Sequence, residues 1–348
     1  MSEYTLSEIR ATNKRDTRKM DALLEKEGIQ RDKNLDYSVG LFDEDYNLVA
    51  TGSCFKNTLR CMAVDSGHQG EGLLNQVVSH LMEHQYERGN IELFLYTKCD
   101  SAKFFNDLGF YEIARVDGKV VFMENRRTGF QDYLNDLKKT SVPGEKIAAV
   151  VMNANPFTLG HQYLLEKTAS ENDVVHVFVV SEDVSLVPFD VRFQLVKAGS
   201  AHLKNLVYHP TGSYIISNAT FPSYFLKDED LVIRSHAKLD INVFKKIAAS
   251  LGVNRRYVGE EPFSQVTGIY NQVMKEELDA CGVECVIVPR KTDGTTAISA
   301  SKVRKAIQED RLSEIQDVVP ASTYEFFLSE EAKPVIQAIK NAEEVIHY

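Results

Sequence analysis

Two short stretches of the chain, residues 153–161 and residues 298–304, carry side chains suited to binding and activating a phosphate group. In the first, Gly160 lets the backbone approach a ligand closely, and His161 can donate a hydrogen bond to a phosphoryl oxygen. In the second, Ser299 and Ser301 supply hydroxyl groups and Arg304 supplies a permanent, forked cation. Groups of this kind stabilise the negative charge that spreads over phosphoryl oxygens in a transition state.

The elements predicted around the first stretch would point these groups at a ligand. Residues 147–152 form a short apolar run rich in β-branched side chains, which predicts a strand buried on both faces of a parallel sheet. Turn formers follow at 153–156, and from Gly160 the apolar spacing becomes that of a helix. A helix therefore begins just beyond the carboxyl end of a strand, where open parallel sheets bind ligands and helix amino ends attract phosphate.

The two stretches resemble the paired signatures of the HxGH nucleotidyltransferase superfamily, with Thr158 in place of the first His and departures at Ala300 and Ser301. Neither of the common phosphate-loop patterns, G-x-x-x-x-G-K-[ST] or G-x-G-x-x-G, is present. The resemblance implies catalytic roles for His161 and Arg304, with Mg²⁺ held on the polyphosphate of ATP. It implies nucleotide contacts from Asn155, Phe157, Thr158, Gly160, His161, Gly259, Glu260, Ser299, Ser301 and Arg304.

Two polar residues near this site keep alternative interpretations. Asn155, like Asn153, either orients the acceptor or only forms the turn. Arg192 is either a phosphate ligand or a surface charge on a helix.

Residues 174–288 alternate apolar strands with helical stretches, which predicts a doubly wound parallel sheet. Within this region we predict a strand at 231–233 and a helix capped by Asp240 that runs to residue 251. From about residue 322 onward the pattern predicts short helices.

The amino-terminal part follows a different order of elements. Three strands, a glycine-containing turn, a long helix and a closing hairpin over Asp117-Gly118 are predicted before residue 124. This order resembles the GNAT acyltransferase fold, a mixed sheet in which the turn holds the pyrophosphate of coenzyme A. On that resemblance Gln69, Gly70 and Gly72 would contact a pantetheine or coenzyme-A-like arm. Phe105 occupies the place of the usual acid Tyr, so the domain either transfers an acyl group without it or only docks a partner.

The composition sets the broad class. The 348 residues include 43% hydrophobic and 26% charged side chains, as expected for a soluble globular protein, and the net charge of −10 makes nucleic acid an unfavourable main partner. No membrane-spanning run or signal pattern is visible, and the five scattered cysteines suggest a reduced, cytoplasmic protein with no metal held by its own side chains. We predict domains at 1–130 and 146–348, the second with a helical tail, joined by a polar linker at 131–145 that contains Pro143-Gly144.

Taken over nearly the whole chain, the combination resembles the citrate lyase ligase family, also called citrate lyase synthetase. The resemblance implies that ATP activates acetate to acetyl-adenylate with release of pyrophosphate. The acetyl group would then pass to the thiol of the phosphoribosyl-dephospho-coenzyme A group on the acyl carrier subunit of citrate lyase. Alternatives are a nucleotidyltransferase that makes a dinucleotide or CDP-type product and carries a GNAT-like appendage, and a non-catalytic adenylate sensor.

Overall fold

The structure is a computed structural model that describes residues 4–181, 184–215, 221, 229–260, 265–291 and 297–342. The chain divides into two compact units. Residues 1–132 and 221–239 form the first, and residues 133–220 and 240–348 form the second. The sequence does not predict that residues 221–239 belong to the first unit.

The first unit contains a mixed sheet. Among its described residues the strand order is β1-β2-β3-β4-β5-β7-β6, and β4 with β5 is the parallel pair. The strands are β1 (Thr5–Glu8), β2 (Tyr37–Phe42), β3 (Leu48–Phe55), β4 (Thr58–Val64), β5 (Phe94–Thr97), β6 (Tyr111–Val116) and β7 (Val120–Glu124). The predicted hairpin is present as β6 and β7, which pair antiparallel up to Val116 and Val120. Strand β1 was not predicted from the sequence.

Three helices of this unit are α1 (Lys14–Lys26), α2 (Leu73–Glu87) and α3 (Ala102–Asp107). Helix α2 buries Leu73, Val77 and Leu81 on one face, the spacing of an amphipathic helix that packs on a sheet. Its contact with β3 is close at Gly52, where an added Cβ would lie 2.5 Å from Cγ1 of Val77. A larger residue at Gly52 would push the helix off the sheet.

The second unit contains a parallel sheet, and its described strands follow the order β10-β9-β8-β11-β12. They are β8 (Ile147–Met152), β9 (Val174–Val179), β10 (Leu206–Pro210), β11 (Arg255–Gly259) and β12 (Glu284–Val288). The chain moves outward from β8 to β10 and then returns to the other side of β8 to form β11. The carboxyl ends of β8 and β11 therefore flank a topological switch point, where open α/β sheets bind their ligands. The predicted fold class is confirmed: an α/β chain with one mixed and one parallel sheet.

The remaining helices begin with α4, which starts just before the second unit. They are α4 (Gly129–Lys138), α5 (Leu159–Glu171), α6 (Phe189–Gly199), α7 (Glu229–Leu251), α8 (Gln265–Asp279), α9 (Ala300–Gln308), α10 (Ala321–Leu328) and α11 (Lys333–Asn341). Helix α4 occupies the first part of the predicted linker, because Phe130, Leu134 and Leu137 give that polar segment a buried apolar face. The short helices predicted after residue 322 are present as α10 and α11.

Helix α7 corrects two predictions. The strand predicted at residues 231–233 and the helix cap predicted at Asp240 were both wrong, since both lie inside one continuous helix. A short apolar run such as Leu231-Val232-Ile233 does not by itself distinguish a strand from a buried helix. Buried Ile233, Ala237, Ile241 and Phe244 share the helical spacing that decides the matter.

Candidate active site

The loop that follows β8 is held by buried polar contacts. The Asn155 side chain is 6% exposed, and its Oδ1 accepts a hydrogen bond from the backbone N–H of Val187 at 3.0 Å. Phe157 is fully buried, and an added Cβ on Gly199 would lie 2.6 Å from its ring. Asn155 and Phe157, which were both predicted to contact the nucleotide, therefore hold the loop in place from its buried side.

Thr158 and His161 cap helix α5 reciprocally. The Thr158 hydroxyl oxygen accepts the backbone N–H of His161 at 3.4 Å, and Nδ1 of His161 accepts the backbone N–H of Thr158 at 3.1 Å. This is a capping box in which His takes the place of the usual Glu or Gln. It fixes the imidazole at the first turn of the helix.

The same contacts set the protonation state of His161. Burial, and secondarily the positive charge of Arg290, lower the pKa of His161 to about 4, so the ring is neutral at pH 7. Because a backbone N–H can only donate, Nδ1 must be the acceptor and the ring proton must reside on Nε2. Nε2–H is therefore available as a donor at the amino end of α5.

The second signature begins helix α9. Ser299 is the N-cap residue, and its hydroxyl oxygen accepts the backbone N–H of Lys302 at 3.3 Å, as predicted for the residue that opens this helix. The Ser301 hydroxyl accepts a hydrogen bond from Nη2 of Arg304 at 3.3 Å. Arg304 is only 3% exposed, and burial lowers its pKa to about 10, which leaves it charged at neutral pH.

The fold brings the two signatures into contact. Nη1 of Arg304 donates to the backbone carbonyl of Asn155 in the first loop. Gly160 faces the start of the second signature, where an added Cβ would lie 3.4 Å from the carbonyl oxygen of Ile298. The amino ends of α5 and α9 therefore lie side by side at the switch point, and their first-turn N–H groups and positive dipole ends favour an anion between them.

Arg192 is not the surface charge that one of its two interpretations proposed. Its side chain is fully buried, and its guanidinium donates to backbone carbonyls of Asn153, Val180 and Val187 at 2.7 to 2.9 Å. Arg192 thus cross-links the ends of β8 and β9 and the segment before α6. The alternative of a surface charge was wrong, because these carbonyls lie beyond the strand ends and need a buried donor.

Gly259 and Glu260 lie at the end of β11, on the other side of the switch point. Within the part of the chain that the structure describes, no atom lies within 4 Å of the position that a Cβ on Gly259 would take. The backbone N–H of Glu260 donates to the carbonyl of Val288 at 2.8 Å, and the Glu260 carbonyl accepts Nε of Arg290 at 2.9 Å. These contacts join the ends of β11 and β12.

Arg290 and the His161 cap were missed by the sequence analysis. Arg290 follows the apolar run of β12 by two residues, at the same edge of the sheet as the other site residues. A basic residue directly after a predicted parallel strand is the signal that could have identified it. The spacing of Thr158 and His161 is that of a capping box, which could have indicated how the ring is oriented.

In the first unit, the predicted binding turn opens helix α2. Gly70 and Gly72 have φ values of +86° and +74°, which residues other than glycine adopt only with strain. Gly72 is the N-cap residue and has no side chain to cap α2, while Gln69, Gly70 and Gly72 are all exposed. Gly72 therefore supplies no acceptor to the first amide groups of α2, and helix ends of this kind can bind an anion.

Tyr4 contacts this turn, whereas Phe105 lies in the core of the unit. Glu71 accepts a hydrogen bond from the Tyr4 hydroxyl, and the same hydroxyl lies 3.1 Å from Nδ1 of His68. Phe105 is 4% exposed and belongs to the apolar core of the unit. The position where an acid Tyr was sought is thus a core position.

The residues that the structure describes contain neither a membrane-spanning helix nor a cluster of metal ligands. No helix among them is long and apolar enough to cross a membrane. No group of three or more His, Cys, Asp or Glu side chains is arranged in them to hold a metal ion.

Solved structures show distant likenesses to each half. The chain is similar to a GNAT-family acetyltransferase of Staphylococcus aureus, with 16% identity, 36% of this chain and 100% of that chain covered, and a TM-score of 0.31. It is also similar to a Vibrio parahaemolyticus protein assigned as a nicotinate-nucleotide adenylyltransferase, with 14% identity, 58% and 99% coverage, and a TM-score of 0.36.

Sequence comparisons are far closer. The profile of the citrate lyase ligase C-terminal domain matches residues 147–327. The citrate (pro-3S)-lyase ligase of Escherichia coli is 38% identical over 306 residues, covering 85% of this chain and 87% of the relative. The ligase of the same name from Klebsiella pneumoniae is 40% identical, covering 81% and 84%, and that from Haemophilus influenzae is 35% identical, covering 88% and 93%. The chain therefore belongs to the citrate lyase ligase family, whose members are enzymes of the ligase class.

Proposed function

We propose that the second unit activates acetate with the magnesium complex of ATP. An acetate oxygen attacks the α-phosphorus, the bond from that phosphorus to the bridging oxygen breaks, and pyrophosphate leaves. The observation that carries this proposal is the approach of Gly160 to Ile298, which sets the amino ends of α5 and α9 together at the switch point. Two adjacent helix ends supply fixed N–H donors for the triphosphate and its transition state.

His161 acts in this proposal as a neutral donor. Nε2–H bonds an α-phosphate oxygen, while Nδ1 stays engaged with Thr158. A base is not required for the acceptor, because acetate is already ionised at neutral pH. Ser299 and Thr158 hold the two helix starts in place through their capping bonds.

Arg304 contributes to the site by position. Its guanidinium bonds the Asn155 carbonyl on one side and the Ser301 hydroxyl on the other. These bonds fix the first loop against helix α9, and the buried positive charge adds to the field that favours the phosphates. Gly259 and Glu260 close the opposite side of the nucleotide site at the end of β11.

The second half of the proposed reaction transfers the acetyl group to the acyl carrier subunit of citrate lyase. The sulfur of its phosphoribosyl-dephospho-coenzyme A group forms a bond to the acetyl carbon, the bond from that carbon to AMP breaks, and the thiol proton passes to solvent. Gln69, Gly70 and Gly72 receive the phosphates of this arm at the uncapped amino end of α2. The exposure of this turn and its positive φ angles support that assignment.

Acetate-dependent exchange of labelled pyrophosphate into ATP tests the proposal. Exchange that requires both the protein and acetate supports acetyl-adenylate formation. Exchange that proceeds with a nucleotidyl acceptor in place of acetate would indicate a dinucleotide or CDP-type product. A protein that binds ATP but supports no exchange with any acceptor would be an adenylate sensor.

A further inference from the structure

The proposed function places the negative charge of a triphosphate at the carboxyl edge of the parallel sheet. The residues that the sequence indicated balance little of that charge. The Arg304 side chain is 3% exposed and is bonded to Asn155 and Ser301. Arg192 is fully buried among backbone carbonyls, and His161 is neutral at pH 7. These groups bring no exposed cation to the β- and γ-phosphates.

Arg290 lies where such a cation is needed. It is partly exposed and follows the carboxyl end of β12 by two residues. Its Nε donates to the Glu260 carbonyl at 2.9 Å, which anchors the guanidinium at the carboxyl edge beside β11. The backbone N–H of Ile298 donates to the carbonyl of Lys291 at 3.2 Å, so the residue next to Arg290 is bonded to the start of the second signature.

Arg290 also lies within electrostatic range of the first signature. Its charge is the second cause, after burial, of the lowered pKa of His161. This interaction agrees with a position near the second signature, because Gly160 of the first signature faces Ile298. The hydrogen bond to Glu260 and the bond between Ile298 and Lys291 place Arg290 near the end of β11 and the start of the second signature.

We propose that Arg290 is a phosphate-binding residue that contacts the β- and γ-phosphates of ATP, while His161 contacts the α-phosphate. The assignment deepens the proposed function and rests on it. A guanidinium offers several N–H donors in a planar fork that matches phosphate oxygens, and Nε anchored on a carbonyl orients the fork without removing its charge. The acetyl-adenylate product lacks those two phosphates, so Arg290 would bind substrate and pyrophosphate but not the intermediate.

The test compares the affinities of ATP and AMP by calorimetry, using the full chain with Mg²⁺ and without acetate. We expect Arg290→Gln to weaken ATP binding by about tenfold to a hundredfold, the range for losing a charge-assisted hydrogen bond, and AMP binding by less than about threefold. Arg290→Lys should show a smaller loss with the same selectivity, because the charge remains but the fork is lost. Arg255→Gln is the matched control: this residue begins β11 at the opposite edge of the sheet and pairs with Glu284 at 2.9 Å.

Each outcome decides between the possibilities. Selective loss of ATP affinity supports the assignment. If the Arg290→Gln variant does not fold, Arg290→Lys provides the same comparison of ATP and AMP affinities. Equal weakening of ATP and AMP would mean that Arg290 only holds Glu260 in place, and unchanged ATP affinity would mean that it does not reach the phosphates. Either result overturns the assignment alone, whereas a wild-type protein that binds neither nucleotide overturns the proposed function and this assignment together.

Discussion

The guanidinium of Arg304 donates a hydrogen bond to the backbone carbonyl of Asn155, a residue that lies 149 positions earlier in the chain. One partner ends the second signature and the other belongs to the loop of the first. The contact therefore holds the nucleotide loop and the start of helix α9 in one arrangement. Since the Arg304 side chain is 3% exposed, the bond is made away from solvent, where an unpaired partner is costly.

Arg304→Lys should therefore affect both stability and activity. An ammonium group cannot reach Asn155 and Ser301 with the same planar geometry, so we expect the free energy of unfolding to fall by about 2 kcal/mol. Pyrophosphate exchange should fall at least about tenfold, because a loosened loop misplaces the phosphate donors. Urea denaturation and the exchange assay measure the two effects. Lys305→Gln, on the exposed side of the same helix, is the control, and an Arg304→Lys variant with normal stability and activity would remove the positioning role.

Much of this site could be predicted from local sequence. The features that were not predicted depend on contacts between segments that are distant in the chain. The strand, turn and helix around Thr158 and His161 are set by apolar periodicity and by a capping box, which are properties of nearby residues. The burial of Arg304 and Arg192 depends on which backbone carbonyls the fold leaves without partners, and those belong to distant segments. Arg290 likewise joins the site only through the pairing of β11 with β12.

The first unit illustrates the same limit. The order of strands and the turn at Gly70 and Gly72 could be predicted because turn residues and period-two alternation are local signals. The inclusion of residues 221–239 in that unit could not be predicted, since it depends on contacts between segments far apart in sequence. Helix α7 was divided into a strand and a shorter helix because its first apolar residues have high strand propensity.

His161 can be tested by separating its two nitrogen atoms. His161→Ala removes both the Nδ1 acceptor and the proposed Nε2–H donor, and we expect exchange to slow by about a hundredfold, the scale for losing one transition-state donor. His161→Asn offers an oxygen near the place of Nδ1 and can restore the bond to the Thr158 N–H, but its amide does not reach the place of Nε2. We expect the Asn variant to recover stability without recovering activity.

Thermal unfolding and pyrophosphate exchange measure both variants. A folded Asn variant with near-normal exchange would falsify the donor role of Nε2. In the free wild-type protein, an NMR titration should place the pKa of His161 near 4, because burial and Arg290 both disfavour the charged ring.

Gly160 tests the closeness of the two signatures. Its backbone is not in the left-handed region, so strain from φ does not enter. An alanine Cβ would lie 3.4 Å from the Ile298 carbonyl oxygen, which is ordinary contact, and we expect Gly160→Ala to retain activity within about threefold. Gly160→Val adds two methyl groups to a Cβ that already touches Ile298, and we expect it to reduce exchange at least about tenfold by separating the helix ends. Equal activity of the two variants would show that this spacing is not critical.

The buried pair His176 and His209 predicts a stability that depends on pH. Their rings bond through Nδ1 and Nε2 at 2.8 Å, and burial lowers their pKa values to about 4 and about 3. In the unfolded chain these two histidines bind protons below about pH 6.5, whereas in the folded protein they bind protons only at a much lower pH. The contribution of the pair to the free energy of unfolding is therefore complete above about pH 6.5 and is lost as the pH falls toward 4. At pH 5 the loss is about 2 kcal/mol for each histidine.

The measurement is the free energy of unfolding at pH 7.5 and at pH 5. We expect the wild type to lose more stability than a double variant with His176→Gln and His209→Gln, whose amides do not titrate. The difference between the two proteins isolates the pair from other titrating groups. Parallel pH profiles for the two proteins would show that the histidines remain neutral in both states or ionise without cost.

The last prediction concerns the division of labour between the two units. Because residues 221–239 belong to the first unit, a truncated chain would remove only part of it, and a point substitution in the full chain is the cleaner test. Gly72 and Gly89 flank helix α2 and have φ values of +74° and +81°, and no atom of the described residues lies within 4 Å of where a Cβ on either would be. Gly72→Asp and Gly89→Asp therefore impose similar backbone strain and the same added charge, but at opposite ends of the helix.

If the amino end of α2 receives the phosphates of the carrier's arm, the carboxylate introduced by Gly72→Asp should repel them and slow carrier acetylation at least about tenfold. Acetate-dependent pyrophosphate exchange should stay within about twofold in both variants, because the nucleotide site belongs to the other unit. Carrier acetylation that is equally fast in both proteins would remove the turn at Gly72 from the transfer step, and a parallel loss of exchange and acetylation would point to misfolding, which circular dichroism would detect.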